Sequence, residues 1–180
     1  MRSTICGVAM ELFARLGYEK ASLREIADRV GLTKASLYYY YPSKQALLVA
    51  IVEPLIVQWR AVADRAETLP HTQANVRLIL GECLDVLLCH RTIAGLFAHD
   101  AAAVVQAIGP LFNELLELNM RLHGWLAGPS PTPQDRVRAV AATEVLSAAL
   151  GWSPFVTEVS DQEMRTALLD AATAVLRIHE

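Results

Sequence analysis

The sequence predicts an all-α fold, with an amino-terminal three-helix helix-turn-helix head on a larger carboxy-terminal helical body. Two observations predict it. Apolar residues return every three or four positions along most of the chain, and no stretch alternates apolar and polar residues long enough to make a strand. Glycine, proline and short hydroxyl side chains then cut that pattern into helix-sized lengths. The 180 residues suffice for one domain or two small ones. The expected division gives 1–46 to the head and 47–180 to the body.

Ile5, Val8, Ala9, Leu12, Phe13 and Leu16 form one apolar stripe, which Gly17 ends. Ser22-Leu23-Arg24-Glu25 reads as a capping box, serine and glutamate each satisfying a backbone N–H. The helix it starts buries Ile26, Ala27 and Val30 and stops at Gly31. Thr33 caps a third helix only two residues later, and Pro42 limits it. Ser43 caps a fourth, which runs through Trp59 with Pro54 as a fixed kink or a hinge. Beyond Glu67 the expected helices are 73–90, a short piece near 92–99, 101–125 with a break at Gly109-Pro110, 136–150 and 162–177. Gly128 to Asp135 is a loop by composition.

The net charge of −3 hides an asymmetry. Residues 1–46 carry seven Lys/Arg against four Asp/Glu, and the rest nine against fifteen. A basic head on an acidic body directs only the head toward a polyanion. Cys6, Cys83 and Cys89 lie in apolar stretches without a CxxC and are read as buried free thiols. The longest uncharged runs, Ala101 to Asn113 and Val145 to Thr157, are too short to span a bilayer. Glu11 interrupts the amino-terminal apolar run before a signal-peptide core could form, so a cytoplasmic location is expected.

The stretch LYYYYPSK, 37 to 44, sets the functional question. Four successive positions on a helix cannot all face one core. At about 100° per residue, Tyr41 falls beside Leu37 and is structural. Ala35 and Tyr39 share a second face, and Ser36 and Tyr40 a third. Two short helices joined by a glycine turn describe a helix-turn-helix, whose second helix enters the DNA major groove. Lys34, Ala35 and Tyr39 are then the base-reading set: lysine donates to guanine, and the alanine methyl meets a thymine methyl. Ser36 and Tyr40 offer hydroxyls to phosphates, with Tyr38 at the boundary. Lys44 sits in the first turn of the next helix, where an anion is favoured.

From Ile5 to Ile51 the chain resembles the TetR-type transcriptional regulators, through LFARLGY, SLREIADRVG, GLTKASLY and SKQAL in gapless order. The resemblance implies a homodimer that reads a palindromic double-stranded DNA operator, usually as a repressor, and is released by a small-molecule effector. By position it implies backbone contacts from Ser22, Arg24, Thr33, Ser36, Tyr40 and Lys44, with Lys34, Ala35 and Tyr39 facing the groove. Tyr40-Tyr41 replaces the family's usual histidine-phenylalanine, so a phenol takes over that phosphate contact. With only Arg2 ahead of the first helix, no basic arm in the minor groove is expected.

For the body, polar groups within apolar helices mark candidate ligand contacts. These are Trp59, Glu82, Cys89, Phe97, Phe112, Leu116, Asn119, Met120 and Trp152. The last two long helices are apolar on nearly every face, so one side of each suits a second subunit. Val137, Val140, Ala141, Glu144, Ala148, Leu168, Ala172 and Val175 are the candidate interface, in a four-helix packing with two helices from each subunit.

No catalytic constellation emerges: HExxH, GxSxG, a P-loop and zinc-spaced cysteines are all missing from the sequence. His99-Asp100 reads as a solvated helix end, and no metal or cofactor is expected. The competing functions are a small helical enzyme that keeps a helix-turn-helix as scaffold, and a DNA-binding adaptor answering to a protein partner.

Overall fold

The computed structural model describes residues 1–148 and 159–176, leaving aside the side chains of 94, 95 and 97–100. Among the described residues nine helices follow in order. They are α1 (Arg2–Leu16), α2 (Leu23–Arg29), α3 (Lys34–Tyr40), α4 (Lys44–Thr68), α5 (Gln73–Cys89), α6 (Arg91–Ile108), α7 (Pro110–Leu126), α8 (Pro133–Ser147) and α9 (Asp161–Leu176). They form two compact units, Met1–Ile56 with Thr92–Glu114 and Val57–Arg91 with Leu115–Glu180. The sequence division at 46/47 falls within the first unit, because α4 continues through it without a break.

In the first unit, Ile5, Ala9, Leu12 and Phe13 of α1 pack with Ile26, Ala27, Leu37, Leu47 and Leu48 as a closed apolar core. Each large side chain contributes about 1.5–3 kcal/mol by leaving water. Gly17 ends α1 at φ 87, donating its N–H to the Phe13 carbonyl. Ser22 Oγ accepts the Glu25 N–H at 3.1 Å. The box predicted there is half made, since the Glu25 carboxylate turns to Arg15 at 3.9 Å. Gly31, at φ 70, makes the turn into α3, and Thr33 Oγ1 caps that helix through the Ser36 N–H at 3.0 Å.

The α4 helix carries Pro54 inside it and buries Leu47, Leu48, Ile51, Val52 and Ile56 on its first turns, then Trp59, Val62, Ala63 and Ala66. It has the length and apolarity of a membrane span, yet 44% of its most apolar window is buried within the protein. That is the pattern of a helix running through a core. The α6 helix joins the two pieces expected at 92–99 and 101–108, since His99-Asp100 does not interrupt it. Gln45 Nε2 donates to the Ala107 carbonyl at 2.9 Å, tying α4 to α6. Gly109 at φ 38 and Pro110 at the head of α7 supply the expected break.

In the second unit α5, α8 and α9 pack on one another. Gly81 lets α9 approach: a Cβ there would stand 3.3 Å from Arg165 Nη2. Arg165 forks onto Asp85 at 2.7 and 3.0 Å across the same seam. The start of α8 lies three residues ahead of the expected one, because Thr132 and Asp135 form a reciprocal capping box with Pro133 between them. Ser160 and Glu163 cap α9 in the same way. Of the three cysteines only Cys83 is buried, and burial pushes its thiol up to about 12. Cys6 is half-buried and Cys89 exposed, on the outward side of the last turn of α5.

Burial holds His90 and His123 below the ordinary 6.5, the Glu144 carboxylate opposing it weakly at His123. The unfolded chain therefore binds more protons near pH 6 than the native one. That contribution is complete above the ordinary value and is lost as pH falls through the depressed ones. Melting temperature should decline between about pH 7 and 5, less steeply in His123→Gln. Parallel slopes would remove His123 from the account.

Candidate nucleic-acid interface

The α2–turn–α3 pair presents one face of α3 outward because Leu37 holds the opposite face in the core. Tyr41, the C-cap of α3, is only 5% exposed. Its hydroxyl and the Cys6 Sγ lie at hydrogen-bond distance, 3.2 Å, and the Arg2 guanidinium stands 5.3 Å from its ring centre. Burial raises the Tyr41 pKa, as does the Cys6 bond, while Arg2 opposes both. This phenol is structural, as its angular position beside Leu37 predicts.

The other three tyrosines diverge. Tyr39 is 86% exposed, alongside exposed Lys34 and Ala35, so the predicted base-reading set shares one solvent-facing surface. Tyr40 is half-buried and meets the Tyr39 ring edge-on, 5.6 Å between centres at 85°. Lys34 Nζ lies 5.7 Å over the Tyr38 ring, a cation–π contact that steadies a long, flexible donor. Sequence reasoning missed both pairings, although adjacent aromatics on a short helix were the available signal.

Of the backbone set, Ser22, Arg24 and Thr33 are exposed and Ser36 is half-buried. Ser22 and Thr33 already use their oxygens as caps, and the Thr33 and Ser36 hydroxyls meet at 2.9 Å. Each hydroxyl still carries acceptor and donor capacity for a phosphate. Arg24 has Asp28 one turn on, at a loose 4.0 Å.

Lys44, expected at a phosphate, is engaged within the chain. Its ammonium donates to the carbonyls of Tyr18, Glu19 and Ala21 at 2.8, 3.0 and 3.2 Å and lies 4.6 Å over the Tyr18 ring. Three protons on three carbonyls make it a strut for the α1–α2 connection. Lys44→Met, which keeps the stem, should cost about 1–2 kcal/mol of stability. DNA affinity should fall with it. Lost affinity at an unchanged melting temperature would return Lys44 to the phosphate contacts.

Of the ligand candidates among the described residues, Met120 borders a hollow and Trp59 and Asn119 bond each other. Trp59 is buried and its indole N–H donates to Asn119 Oδ1 at 2.9 Å, which joins α4 to α7. Glu82 is paired with Arg65 at 2.8 Å. Cys89, Leu116 and Met120 are exposed, and Phe112 is half-buried. Met120 borders a hollow of about 340 Å³ with His123, Gly124, Ala127, Pro131, Arg136 and Val140. A second hollow, of about 380 Å³, lies between Arg121, Trp125 and His71, and none of the selected residues borders it. The Phe97 side chain and Trp152 lie outside the described residues.

Among the interface candidates, Val137, Val140, Glu144 and Ala148 are exposed along one face of α8. Ala141, Leu168 and Val175 are half-buried. Ala172 is a correction: it is fully buried within its own chain, where α9 meets α5 and α8, and has no surface left for a partner.

Comparison with known proteins points the same way as the site. Residues 5–51 match the family model "Bacterial regulatory proteins, tetR family". The HTH-type transcriptional regulator RutR of Escherichia coli is 33% identical over 143 residues, 74% of this chain and 66% of that protein, so the match spans just under two thirds of that relative. The HTH-type transcriptional repressor KstR of Rhodococcus jostii is 31% identical over 177 residues, 93% of this chain and 79% of the relative. The crystal structure of PfmR from Thermus thermophilus superimposes with a TM-score of 0.76 at 17% identity, covering 98% of each chain, which is a likeness of fold. A head that matches the family model over residues 5–51, and a relative 31% identical over 93% of this chain and 79% of its own length, establish that the chain belongs to the TetR family of bacterial regulatory proteins.

Proposed function

We propose that this protein is a ligand-responsive transcriptional repressor that binds a palindromic operator in the cytoplasm as a homodimer. The observation that carries the reading is the surface of α3, where Tyr39 stands 86% exposed beside Lys34 and Ala35 while Leu37 anchors the helix from behind. An exposed phenol next to a lysine and a methyl group offers a hydrogen-bond donor, a cation and an apolar contact to base edges. Ser22, Arg24, Thr33, Ser36, Tyr38 and Tyr40 surround that set with groups suited to phosphates, which fix register. In a dimer, two copies of α3 would enter major grooves about 34–36 Å apart or a multiple of that. The name of the KstR relative, a transcriptional repressor, supports the sign of regulation.

Release by a small, largely apolar effector is the finer part of the proposal. The effector would shift the population between states that differ in DNA affinity. Selection of bound duplexes from a random-sequence pool tests the reading. The expected product is a two-fold symmetric motif whose affinity falls steeply with salt. A pool that stays unenriched, with or without candidate effectors, would overturn it.

A further inference from the structure

Residues 1–46 carry seven lysines and arginines, and six of them have partners within the chain. Arg15, Arg24 and Arg29 stand opposite Glu25, Asp28 and Glu11 at 3.9, 4.0 and 3.7 Å. Arg2 lies against the Tyr41 ring and Lys34 over the Tyr38 ring. The Lys44 ammonium donates to the carbonyls of Tyr18, Glu19 and Ala21. Lys20 is the seventh, exposed and without a hydrogen bond, ion pair or ring contact to any described residue.

The backbone that carries Lys20 is held in place from several sides. Residues 18–20 turn between α1 and α2, and the side chains of Tyr18 and Ala21 are buried. The Tyr18 ring meets Phe13 edge-on, 5.3 Å between centres. The three carbonyls that Lys44 holds belong to residues on both sides of Lys20, so the turn is fixed and Lys20 is left at its exposed tip. Ser22, the exposed N-cap of α2 and one of the proposed phosphate contacts, stands two residues on, within about 7 Å along the chain. A cation fixed there can reach the same stretch of DNA backbone and release a counterion from it.

We propose that Lys20 binds a backbone phosphate beside Ser22, and that Lys44 is a positioning residue which acts through it by fixing the turn. The inference rests on the DNA binding proposed above and adds to it a contact outside the helix-turn-helix pattern. Lys20 carries no sequence information in this role, because a phosphate offers the same oxygens beside every base. Its side chain is exposed and without a partner among the described residues, so the chain does not need it to fold.

Binding to the selected duplex, followed by fluorescence anisotropy over a range of salt concentrations, tests it. Each phosphate contact steepens the fall of log affinity with log salt by about 0.9. Lys20→Gln should make that fall shallower by about 0.9 for each chain bound, and weaken binding about eightfold per chain at about 0.1 M salt. Its melting temperature and selected motif should match wild type, and Lys20→Arg should restore the slope. The second arm repeats the change in Lys44→Met, at a temperature where that variant stays folded. There Lys20→Gln should cost less than about twofold per chain, since the turn no longer holds the ammonium in place. An unchanged salt slope in Lys20→Gln, or a shifted motif, would overturn the phosphate contact. An equal loss from Lys20→Gln with and without Lys44 would overturn the positioning role. A wild-type chain that binds no duplex at any salt would overturn the DNA-binding reading itself, and this contact with it.

Discussion

Replacing Tyr41 with alanine is expected to lower the stability of the first unit by about 3–5 kcal/mol, the range for a buried aromatic reduced to a methyl. Tyr41 closes the core at the end of α3, and its hydroxyl bond to Cys6 links that end to α1. Tyr41→Phe keeps the ring and should cost about 0.5–1.5 kcal/mol, the value of the one hydrogen bond. At a temperature where enough protein stays folded, the motif selected by either variant should be that of wild type. An unchanged melting temperature in Tyr41→Ala would remove the phenol from the core. An altered motif in Tyr41→Phe would move it to the reading surface.

Tyr39→Ala should behave in the opposite way. Its side chain leaves little apolar surface out of water, so the melting temperature should hardly move. The loss should appear in recognition, as about 1–3 kcal/mol of preference surrendered at one position of each half-site. Tyr40→Phe should differ from both: it keeps the edge-to-face contact with Tyr39 and removes the hydroxyl proposed to contact a phosphate. Its binding should weaken alike on all sequences. A selected motif identical in Tyr39→Ala and wild type would strike Tyr39 from the base-reading set.

The head was largely legible in the sequence because its determinants are local. Gly17, Gly31 and the Ser22 and Thr33 caps act within four residues, so the helix ends follow from residue type. The angular sorting that separates Tyr41 from Tyr39 needs only the helical repeat and one leucine as a core marker. The strut made by Lys44 is not legible, because its partners are carbonyls 23 to 26 residues away, which leave no trace in local sequence. Its position at a helix start suggested an anion site, and the neighbouring turn supplied carbonyls instead.

The second unit was harder for the same reason. Trp59 and Asn119 were both singled out as polar groups in apolar helices, yet nothing in their spacing revealed that they satisfy each other. Ala172 and Ala148 look alike in sequence, but the packing of α5 against α9 buries the first, while the second stays exposed. The start of α8 carries a local signal of its own. Thr132, Pro133 and Asp135 make a helix-start signature, and the density of prolines around them suggested a loop.

The sorting of the four phenols is tested most directly by nitration with tetranitromethane, read by mass spectrometry on the protein alone and on its complex with a selected duplex. The account predicts that Tyr39 reacts first in the absence of DNA and is protected in the complex, while Tyr41 resists in both. Tyr39 reacting equally with and without bound duplex would contradict the claim that this face of α3 reads DNA.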